Sequence, residues 1–284
     1  MLKGARPIVD KEVADVYRVG KYSKIFSSEL YFALWEEWLT SSNNKSILGL
    51  YEFTHRDYTQ GTSQTFDNFI LRHSNKRIIT ALPGDFKYHR CIGKFSNFKT
   101  LIGNRVQNCA LIISLPFSDL GTTHPFFYSL LDTCNDYNIP VCLDLAYWGI
   151  SQNINIDLRK YPCIQEVTCS LSKPFYTLEN HRVGVRFSRE YLDDGITMLN
   201  EVKMYNIHSM SLGIFYMENF SCDFIGDKYK ELQIALCTQN NLTPTDTIIF
   251  GLGGEEYIDY NRGVPGINRV CISDLLALNY NETV

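Results

Sequence analysis

The sequence contains no long hydrophobic run and no large excess of charge of either sign. Its apolar stretches, such as Cys109 to Ile113, are far shorter than the ~20 residues that cross a bilayer. Its 27 basic and 31 acidic residues give a formal net charge of −4, which is too balanced for a protein whose affinity comes from neutralising nucleic-acid phosphates. We therefore expect a soluble protein that binds neither a membrane nor nucleic acid.

Paired cysteines, metal-binding histidine patterns and a secretory leader are missing as well. The nine cysteines are irregularly spaced without a CxxC pair, and the histidines never fall four residues apart on a helix. The first residues, Met1 to Pro7, lack the apolar segment of a secretory signal. These absences indicate reduced thiols, no metal site and a cytoplasmic location.

What the sequence does contain is a series of short apolar runs rich in strand-forming residues. Between them Phe126, Leu130 and Cys134 recur every four residues, which predicts a helix of about three turns. Strands that alternate with helices predict an α/β fold in which a mainly parallel, mixed sheet is sandwiched between helices. Strands are predicted at residues 77–82, 109–115, 140–144, 164–169 and 183–187.

After Ser188 the sequence turns helical, and we expect this helix to continue to about Tyr205. The run from Gly251 to Gly254 lacks the residues of a phosphate-binding loop and is expected to be a flexible turn. The residues expected to face inward along the helix after Ser188 are Tyr191, Ile196, Leu199, Val202 and Met204.

The C-terminal part of the chain is expected to form a smaller α/β lobe. A helix near residues 228–237 precedes two strand-like runs at residues 246–250 and 267–272. We therefore divide the chain into an N-terminal segment at residues 1–60, a large domain at residues 61–200 and a small C-terminal domain at residues 201–284.

Polar residues follow or precede the predicted strands at points that a parallel sheet brings to one edge. Asp144 ends one strand and is followed by Tyr147, while Ser170-Leu171-Ser172-Lys173 ends the next. Arg182 opens the strand after that, and Gly61-Thr62-Ser63 begins a helical segment. Ligands in open α/β sheets bind at this edge. An acid, a phenol, a lysine and an arginine are the groups that hold pyridoxal phosphate.

In this order and context, these residues resemble the signature of the fold-type I, aspartate aminotransferase-like family of pyridoxal phosphate-dependent enzymes. The segments that carry the likeness are Asp144 to Tyr147, Ser170 to Lys173 and Arg182 to Gly184. A weaker likeness occurs at Arg269 to Ser273. The resemblance implies pyridoxal 5′-phosphate as the cofactor of the large domain.

The resemblance also implies three catalytic residues. Lys173 would form a Schiff base with the cofactor aldehyde and, once freed, would act as the base that moves a proton. Asp144 would pair with the ring nitrogen and keep it protonated, so that the ring can accept electrons. Tyr147 would donate a hydrogen bond to the phenolate oxygen of the cofactor.

A larger set of residues would bind the cofactor around these three. Ser170 and Arg182 would bind the phosphate through charge-assisted hydrogen bonds, helped by the backbone N–H groups of residues 61–63 at a helix N-terminus. Phe86, preferred narrowly over Tyr88, would cover the ring. The cofactor-binding residues implied are Gly61, Thr62, Ser63, Phe86, Ser118, Asp144, Tyr147, Ser170, Ser172, Lys173 and Arg182.

One position concerns the substrate, and one segment departs from the family pattern. Arg269 matches the C-terminal arginine that binds the α-carboxylate of an amino acid in a bidentate pair. Ser118-Asp119-Leu120-Gly121 stands where the family usually has Asn-Pro-Thr-Gly. Ser118 is therefore a weaker substitute for the asparagine that contacts the phenolate oxygen.

The function implied is an aminotransferase that moves an amino group between an amino acid and a 2-oxo acid. A decarboxylase, a lyase or a racemase would use the same fold and cofactor, so these reactions remain alternatives. A third alternative is a non-catalytic protein that keeps the scaffold. Relatives build their sites at a homodimer interface, so the resemblance also implies a homodimer.

Overall fold

A seven-stranded mixed sheet forms the centre of the protein. The computed structural model describes residues 1–92, 98–100 and 108–283. Two smaller sheets lie beside it, one of two parallel strands and one of three antiparallel strands. The strands are β1 (Ser46–Leu48), β2 (His55–Gln60), β3 (Ile78–Ala81), β4 (Phe98–Thr100), β5 (Cys109–Ser114), β6 (Val141–Asp144), β7 (Asn155–Asp157), β8 (Ile164–Ser170), β9 (Val183–Ser188), β10 (Thr243–Pro244), β11 (Phe250–Gly253) and β12 (Asn268–Cys271).

The order of strands in the central sheet is β2-β9-β8-β6-β5-β3-β4. Strands β8, β6, β5, β3 and β4 pair in parallel. Strand β9 pairs antiparallel with both β8 and β2, so it alone runs against the others. This arrangement confirms the predicted mainly parallel, mixed sheet. It also brings the beginning of β9 to the same edge as the ends of β5, β6 and β8.

Helices cover both faces of the sheet. The apolar run of β5 is buried throughout, because its residues alternate between two hydrophobic clusters. Leu111 faces the cluster that contains Trp35, whereas Ala110 faces the cluster that contains Phe66. The helices are α1 (Lys11–Gly20), α2 (Ser28–Thr40), α3 (Thr62–His73), α4 (Lys87–Ile92), α5 (Phe127–Asp136), α6 (Gly195–Glu201), α7 (Ile207–Asn219), α8 (Phe224–Gln239) and α9 (Ser273–Thr283).

The C-terminal sheet packs against α8 and forms a separate hydrophobic cluster with it. Phe250, Val270 and Leu236 are buried in this cluster. The start of the chain joins it, because Leu2 forms a β-bridge with Cys271. By contrast, α7 packs against α2 and β9 of the central sheet. The domain boundaries at residues 60 and 200 stay a prediction.

The prediction of a long helix directly after Ser188 is wrong. Strand β9 continues to Ser188, and the helix begins only at Gly195, where the Asp194 carboxylate accepts hydrogen bonds from the N–H groups of Ile196 and Thr197. This helix cap sets a start that the hydrophobic pattern alone did not reveal. Of the residues expected to face inward, Ile196 is buried and Leu199 is half-buried, whereas Tyr191, Val202 and Met204 are exposed.

The prediction of a flexible turn at Gly251 to Gly254 is also wrong for the first three residues. These residues belong to β11. Antiparallel pairing with β12 on one side and β10 on the other supplies hydrogen bonds that override the low strand propensity of glycine. The strand expected at residues 246–250 therefore begins only at Phe250. Within the described residues, none of the helices is both long enough and apolar enough to cross a membrane.

Helix α7 approaches the sheet so closely that Gly213 leaves no space for a side chain. A Cβ atom there would lie 2.7 Å from Cγ1 of Val183 and 2.9 Å from Cε2 of Tyr31. The Tyr31 ring is held in place because its hydroxyl donates to the Gly184 carbonyl at 2.8 Å. We expect Gly213→Ala to lower the free energy of unfolding by about 1–3 kcal/mol through overpacking, measured by urea denaturation.

The matched control is Gly226→Ala in α8, where a Cβ atom would meet nothing within 4 Å. That change is expected to leave the protein unaffected or to stabilise it by up to about 1 kcal/mol through helix propensity. Equal stability of the two variants would contradict the close approach of α7 to the sheet.

Candidate active site

A cavity of about 220 Å³ lies at the edge of the central sheet where the parallel strands end. Most of the residues predicted from the sequence line it together, whereas Gly61 and Arg269 lie just behind its wall. The lining residues are Thr62, Ser63, Phe86, Tyr88, Ser114, Pro116, Ser118, Asp144, Ala146, Tyr147, Ser170, Ser172, Lys173, Glu179 and Arg182.

The strand directions explain why these side chains meet. Ser114, Asp144 and Ser170 are the last residues of β5, β6 and β8, which are neighbours in the sheet. Arg182 precedes β9, and the reversed direction of this strand brings its beginning to the same edge. The sheet therefore collects polar groups from four strands around one opening.

Asp144 is the buried acid of the cavity. Its Oδ1 accepts a hydrogen bond from the Ala146 N–H at 2.9 Å, and its Oδ2 lies 3.4 Å from Oγ of Ser114. Burial is the main reason why the pKa of Asp144 is raised to about 7, and the nearby Asp85 carboxyl raises it further. The Ala146 hydrogen bond and the positive charge of Lys173 act in the opposite direction. A cationic partner at this position would therefore favour the ionised form.

Lys173 supplies an amine to the same cavity. It follows β8, is half-buried, and its Nζ donates to the backbone carbonyl of Ala5 at 3.1 Å. The amine thus points into the protein rather than into bulk solvent, and it is close enough to Asp144 to influence the pKa of that carboxyl.

Another part of the cavity wall has the groups that receive an anion. The first N–H groups of α3 point there from Thr62 and Ser63, and a guanidinium nitrogen of Arg182 donates to Ser63 Oγ at 3.0 Å. Gly61 has a φ of 74°, and a Cβ atom at this position would lie only 2.6 Å from Arg182 Nη2. Glycine is therefore required for the guanidinium to lie across the helix N-terminus, where an anion is stabilised.

Ser172 offers a further polar group. Its hydroxyl is buried against the cavity, and within the described residues Oγ has no hydrogen-bond partner. A buried hydroxyl without a partner is uncommon and is satisfied when a ligand or water occupies the space beside it. Together with the Arg182 guanidinium beside Gly61, this hydroxyl makes the cavity fit a phosphorylated ligand.

One wall of the cavity is aromatic. The rings of Phe86 and Tyr88 are stacked with centroids 6.0 Å apart and an interplanar angle of 17°. Both line the cavity, so the choice between them as the ring that covers a cofactor stays a prediction. The Tyr88 hydroxyl donates to the Asp67 carboxylate, which leaves Phe86 as the wholly apolar surface.

Arg269 lies behind the cavity wall rather than on its surface. The guanidinium is buried, packs 4.0 Å above the Phe250 ring and donates to the backbone carbonyls of Ser118 and Lys3. A second arginine, Arg262, points its Nη1 to Ser118 Oγ at 3.4 Å. Ser118 itself lines the cavity, so the loop that departs from the family pattern still reaches the site.

Sequence reasoning missed two acids and a serine. Ser114 is the only polar residue of the apolar run of β5, so its position at the strand end was a usable signal. Asp85 is buried behind Ser114 and follows the turn at Pro83-Gly84. Glu179 lines the cavity and pairs with Arg6 at 3.1 Å, and no local pattern marks it. Within residues 1–92, 98–100 and 108–283, no group of three or more histidine, cysteine, aspartate or glutamate side chains is arranged to hold a metal ion.

Comparison of the sequence with protein-family models and with curated protein sequences finds no match. Solved structures do match over nearly the whole chain. An aminotransferase from Staphylococcus aureus has a TM-score of 0.67 and 11% identity, covering 99% of this chain and 90% of its own. A PLP-bound C-S lyase from Staphylococcus hominis has a TM-score of 0.67 and 10% identity, with the same coverage.

An alanine aminotransferase from Pyrococcus furiosus also matches, with a TM-score of 0.65 and 12% identity, covering 98% of this chain and 88% of its own. The chain is therefore similar in fold to the aspartate aminotransferase-like proteins, as its sequence pattern implied. At this level of identity the likeness concerns the fold, and the chemistry has to be argued from the site.

The buried carboxyl of Asp144 should make stability depend on pH. In the unfolded chain an aspartate has a pKa of about 4, whereas burial raises the pKa of Asp144 to about 7 in the folded protein. Between these values the unfolded chain has released a proton that the folded protein keeps, so the free energy of unfolding falls as pH rises and then levels off.

Asp144→Asn removes this contribution. Between about pH 5 and pH 7 the parent protein should lose about 2 kcal/mol of unfolding free energy that the variant does not lose. The difference between the two proteins is measured by urea denaturation without added ligand. The control Asp136→Asn, at an exposed position on α5, should follow the parent protein at every pH. A constant difference between Asp144→Asn and the parent would show that Asp144 does not titrate in this range.

Proposed function

We propose that the protein is a pyridoxal phosphate-dependent aminotransferase that moves an amino group between an amino acid and a 2-oxo acid, with Lys173 as the amine that carries the cofactor. One observation supports this most strongly. A single cavity at the strand ends is lined by the half-buried amine of Lys173, the buried acid Asp144 and the cation Arg182, which lies at a helix N-terminus.

The residues present match the parts of the cofactor. Arg182, Ser63 and the N–H groups at the start of α3 would bind the phosphate, and Ser170 with the unpartnered hydroxyl of Ser172 would add to them. Tyr147 would donate to the phenolate oxygen, with Ser118 close by. When bound, the cofactor supplies an electron sink for the carbon that loses a proton.

Proton movement would fall to two side chains of this protein. The Lys173 Nζ, once neutral, would take the proton from the substrate carbon and return it, because it lies inside the cavity. Its hydrogen bond to the Ala5 carbonyl would hold the amine at the cavity wall between these steps. The ionised Asp144 would face the ring nitrogen and keep it positive.

The substrate carboxylate is proposed to bind Arg269. In the structure the guanidinium donates to the carbonyls of Ser118 and Lys3, so a carboxylate would have to replace one of these contacts. Burial lowers the pKa of Arg269, yet an arginine stays charged in this position, and a carboxylate would be a better partner for it than a neutral carbonyl.

We further propose a homodimer in the cytoplasm that acts on small molecules. The cysteines that the structure describes are buried free thiols, which suits a reducing compartment. The dimer is proposed from the resemblance to the family. An analytical ultracentrifugation run would test it.

Labelling of Lys173 tests the cofactor directly. After incubation with pyridoxal phosphate and reduction with borohydride, peptide mapping should find the cofactor on Lys173, because its amine lies inside the cavity. Lys173→Arg should abolish the labelled peptide. The exposed Lys87→Arg, beside Phe86 but outside the cavity lining, should leave it in place. Labelling spread over surface lysines would contradict the proposal.

Product analysis separates the aminotransferase from a lyase, which the similar fold of a C-S lyase makes the second candidate. An aminotransferase should convert an added 2-oxo acid to its amino acid only when an amino donor is present. A lyase should instead release ammonia and a thiol from a sulfur-containing amino acid without an acceptor. A protein that gives neither set of products and binds no cofactor would be the non-catalytic alternative.

A further inference from the structure

Two buried carboxyl groups contact one hydroxyl at the floor of the cavity. Ser114 Oγ lies 2.5 Å from Asp85 Oδ1 and 3.4 Å from Asp144 Oδ2. All three side chains are almost completely buried. The sheet creates this contact, because Asp85 follows β3, Ser114 ends β5 and Asp144 ends β6, and these strands are neighbours.

The two carboxyl groups differ in how many hydrogen bonds they accept. Asp85 accepts from the Ser114 hydroxyl, from the Ser114 N–H at 3.0 Å and from the Phe86 N–H at 2.7 Å. Asp144 accepts from the Ala146 N–H at 2.9 Å. Burial raises the pKa of Asp85, whereas its three hydrogen bonds act in the opposite direction. Hydrogen bonds to a carboxylate favour its charged form, so Asp85 is the better placed of the two to hold the negative charge.

The single proton of Ser114 decides how the three groups are connected. A serine hydroxyl has one proton to donate, and the short contact assigns it to Asp85. Once that proton is committed to Asp85, Ser114 Oγ can meet Asp144 Oδ2, 3.4 Å away, only as an acceptor. A hydrogen bond between Ser114 and Asp144 therefore requires a proton on the Asp144 carboxyl.

Other titratable groups around the pair do not change this assignment. Lys173 is the cation that acts on Asp144, and it comes from the loop after β8. The thiols of Cys142 and Cys169 are also near Asp144, and burial raises their pKa far above neutrality, so they stay uncharged. His124 acts on Asp85, and burial lowers its pKa, so it is neutral at pH 7.

We propose that Asp85, acting through the Ser114 hydroxyl, is a positioning residue that holds a proton on Asp144 while the cavity is free of cofactor. The proton on Asp144 in the cofactor-free cavity is a property of the protein alone. Its fate when a cofactor binds rests on the proposed function. With a pyridine ring bound, Asp144 would give up its proton to the ring nitrogen and hold the positive ring as a carboxylate, while Asp85 and Ser114 would keep their protonation.

This arrangement gives Asp85 a continuing role after the transfer. Its negative charge, relayed by Ser114, makes loss of the proton from the region of Asp144 less favourable. The ring nitrogen would therefore stay protonated to higher pH than Asp144 alone could achieve. Asp85 itself touches neither the cofactor nor the substrate in this assignment.

The test is a pH titration of the protein without cofactor, followed by NMR of carboxyl carbons labelled in aspartate and assigned with Asp144→Asn. In the parent protein Asp144 should titrate near neutral pH. Asp85→Asn should lower the midpoint of Asp144 by about one pH unit or more, because a like charge is removed. Ser114→Ala should raise the midpoint of Asp85 and shift that of Asp144, because it removes the hydroxyl that connects the two carboxyl groups.

Ser114→Ala keeps both carboxyl groups and so tests the relay even if Asp85→Asn does not fold. The control is Ser151→Ala, which removes a buried hydroxyl that donates to the Trp148 carbonyl at 2.9 Å, away from the relay. It should leave the Asp144 midpoint unchanged. An Asp144 midpoint that is the same in the parent protein, Asp85→Asn and Ser114→Ala would overturn the inference, as would an Asp144 that is ionised throughout.

A second measurement tests the part that depends on the cofactor. With pyridoxal phosphate labelled at the ring nitrogen, nitrogen NMR should show that the bound ring loses its proton about one pH unit lower in Asp85→Asn than in the parent protein. An unchanged value would overturn the continuing role of Asp85. Failure of the parent protein to bind pyridoxal phosphate would refute the proposed function, and the carboxyl titration would still decide the relay.

Discussion

The burial of Asp144 at the end of β6 is the interaction on which the rest of the site depends. A carboxyl removed from water is stable only when it is protonated, hydrogen-bonded or paired with a cation. All three are provided here. Ser114 lies beside the carboxyl, the Ala146 N–H donates a hydrogen bond to it, and Lys173 is the nearby cation. The apolar layers that cover both faces of the sheet cause this burial, so the packing of the core and the chemistry of the acid have the same origin.

The cavity is lined by ionisable groups of both signs. Asp144 lines it with Asp85 buried behind Ser114, and Arg182 lines it at the N-terminus of α3. A ligand with both an anionic group and a basic ring nitrogen would complement these two sets of groups. Lys173 lines the same cavity and donates to the Ala5 carbonyl.

The first residues of the chain connect the C-terminal lobe with the site. Leu2 pairs with Cys271, the Lys3 carbonyl accepts from Arg269, and the Ala5 carbonyl accepts from Lys173. Arg6 then pairs with Glu179 on the cavity wall. A short segment therefore connects the C-terminal hydrophobic cluster with the cavity wall, through backbone carbonyls that accept from Arg269 and Lys173.

The strands at the centre of the sheet could be predicted, because runs such as Cys109 to Ile113 are apolar at every position and end at Pro116. The residues at their ends could be predicted too, since a strand delivers its next side chain to the sheet edge by local geometry alone. A helix after Ser188 was predicted, but its start was predicted wrongly, because the hydrophobic pattern does not show the Asp194 cap. Asp85 was also missed, since its partner Ser114 belongs to a different strand.

The amino-acid sequence alone determined which chemical groups stand at the ends of which strands, because this depends only on local pattern and short-range geometry. The tertiary structure decided which of those groups meet. Strand order placed β3 beside β5 and β5 beside β6, and so brought Asp85, Ser114 and Asp144 into contact. Hydrogen bonds act over about 3 Å, a scale at which only the packed sheet sets the distances.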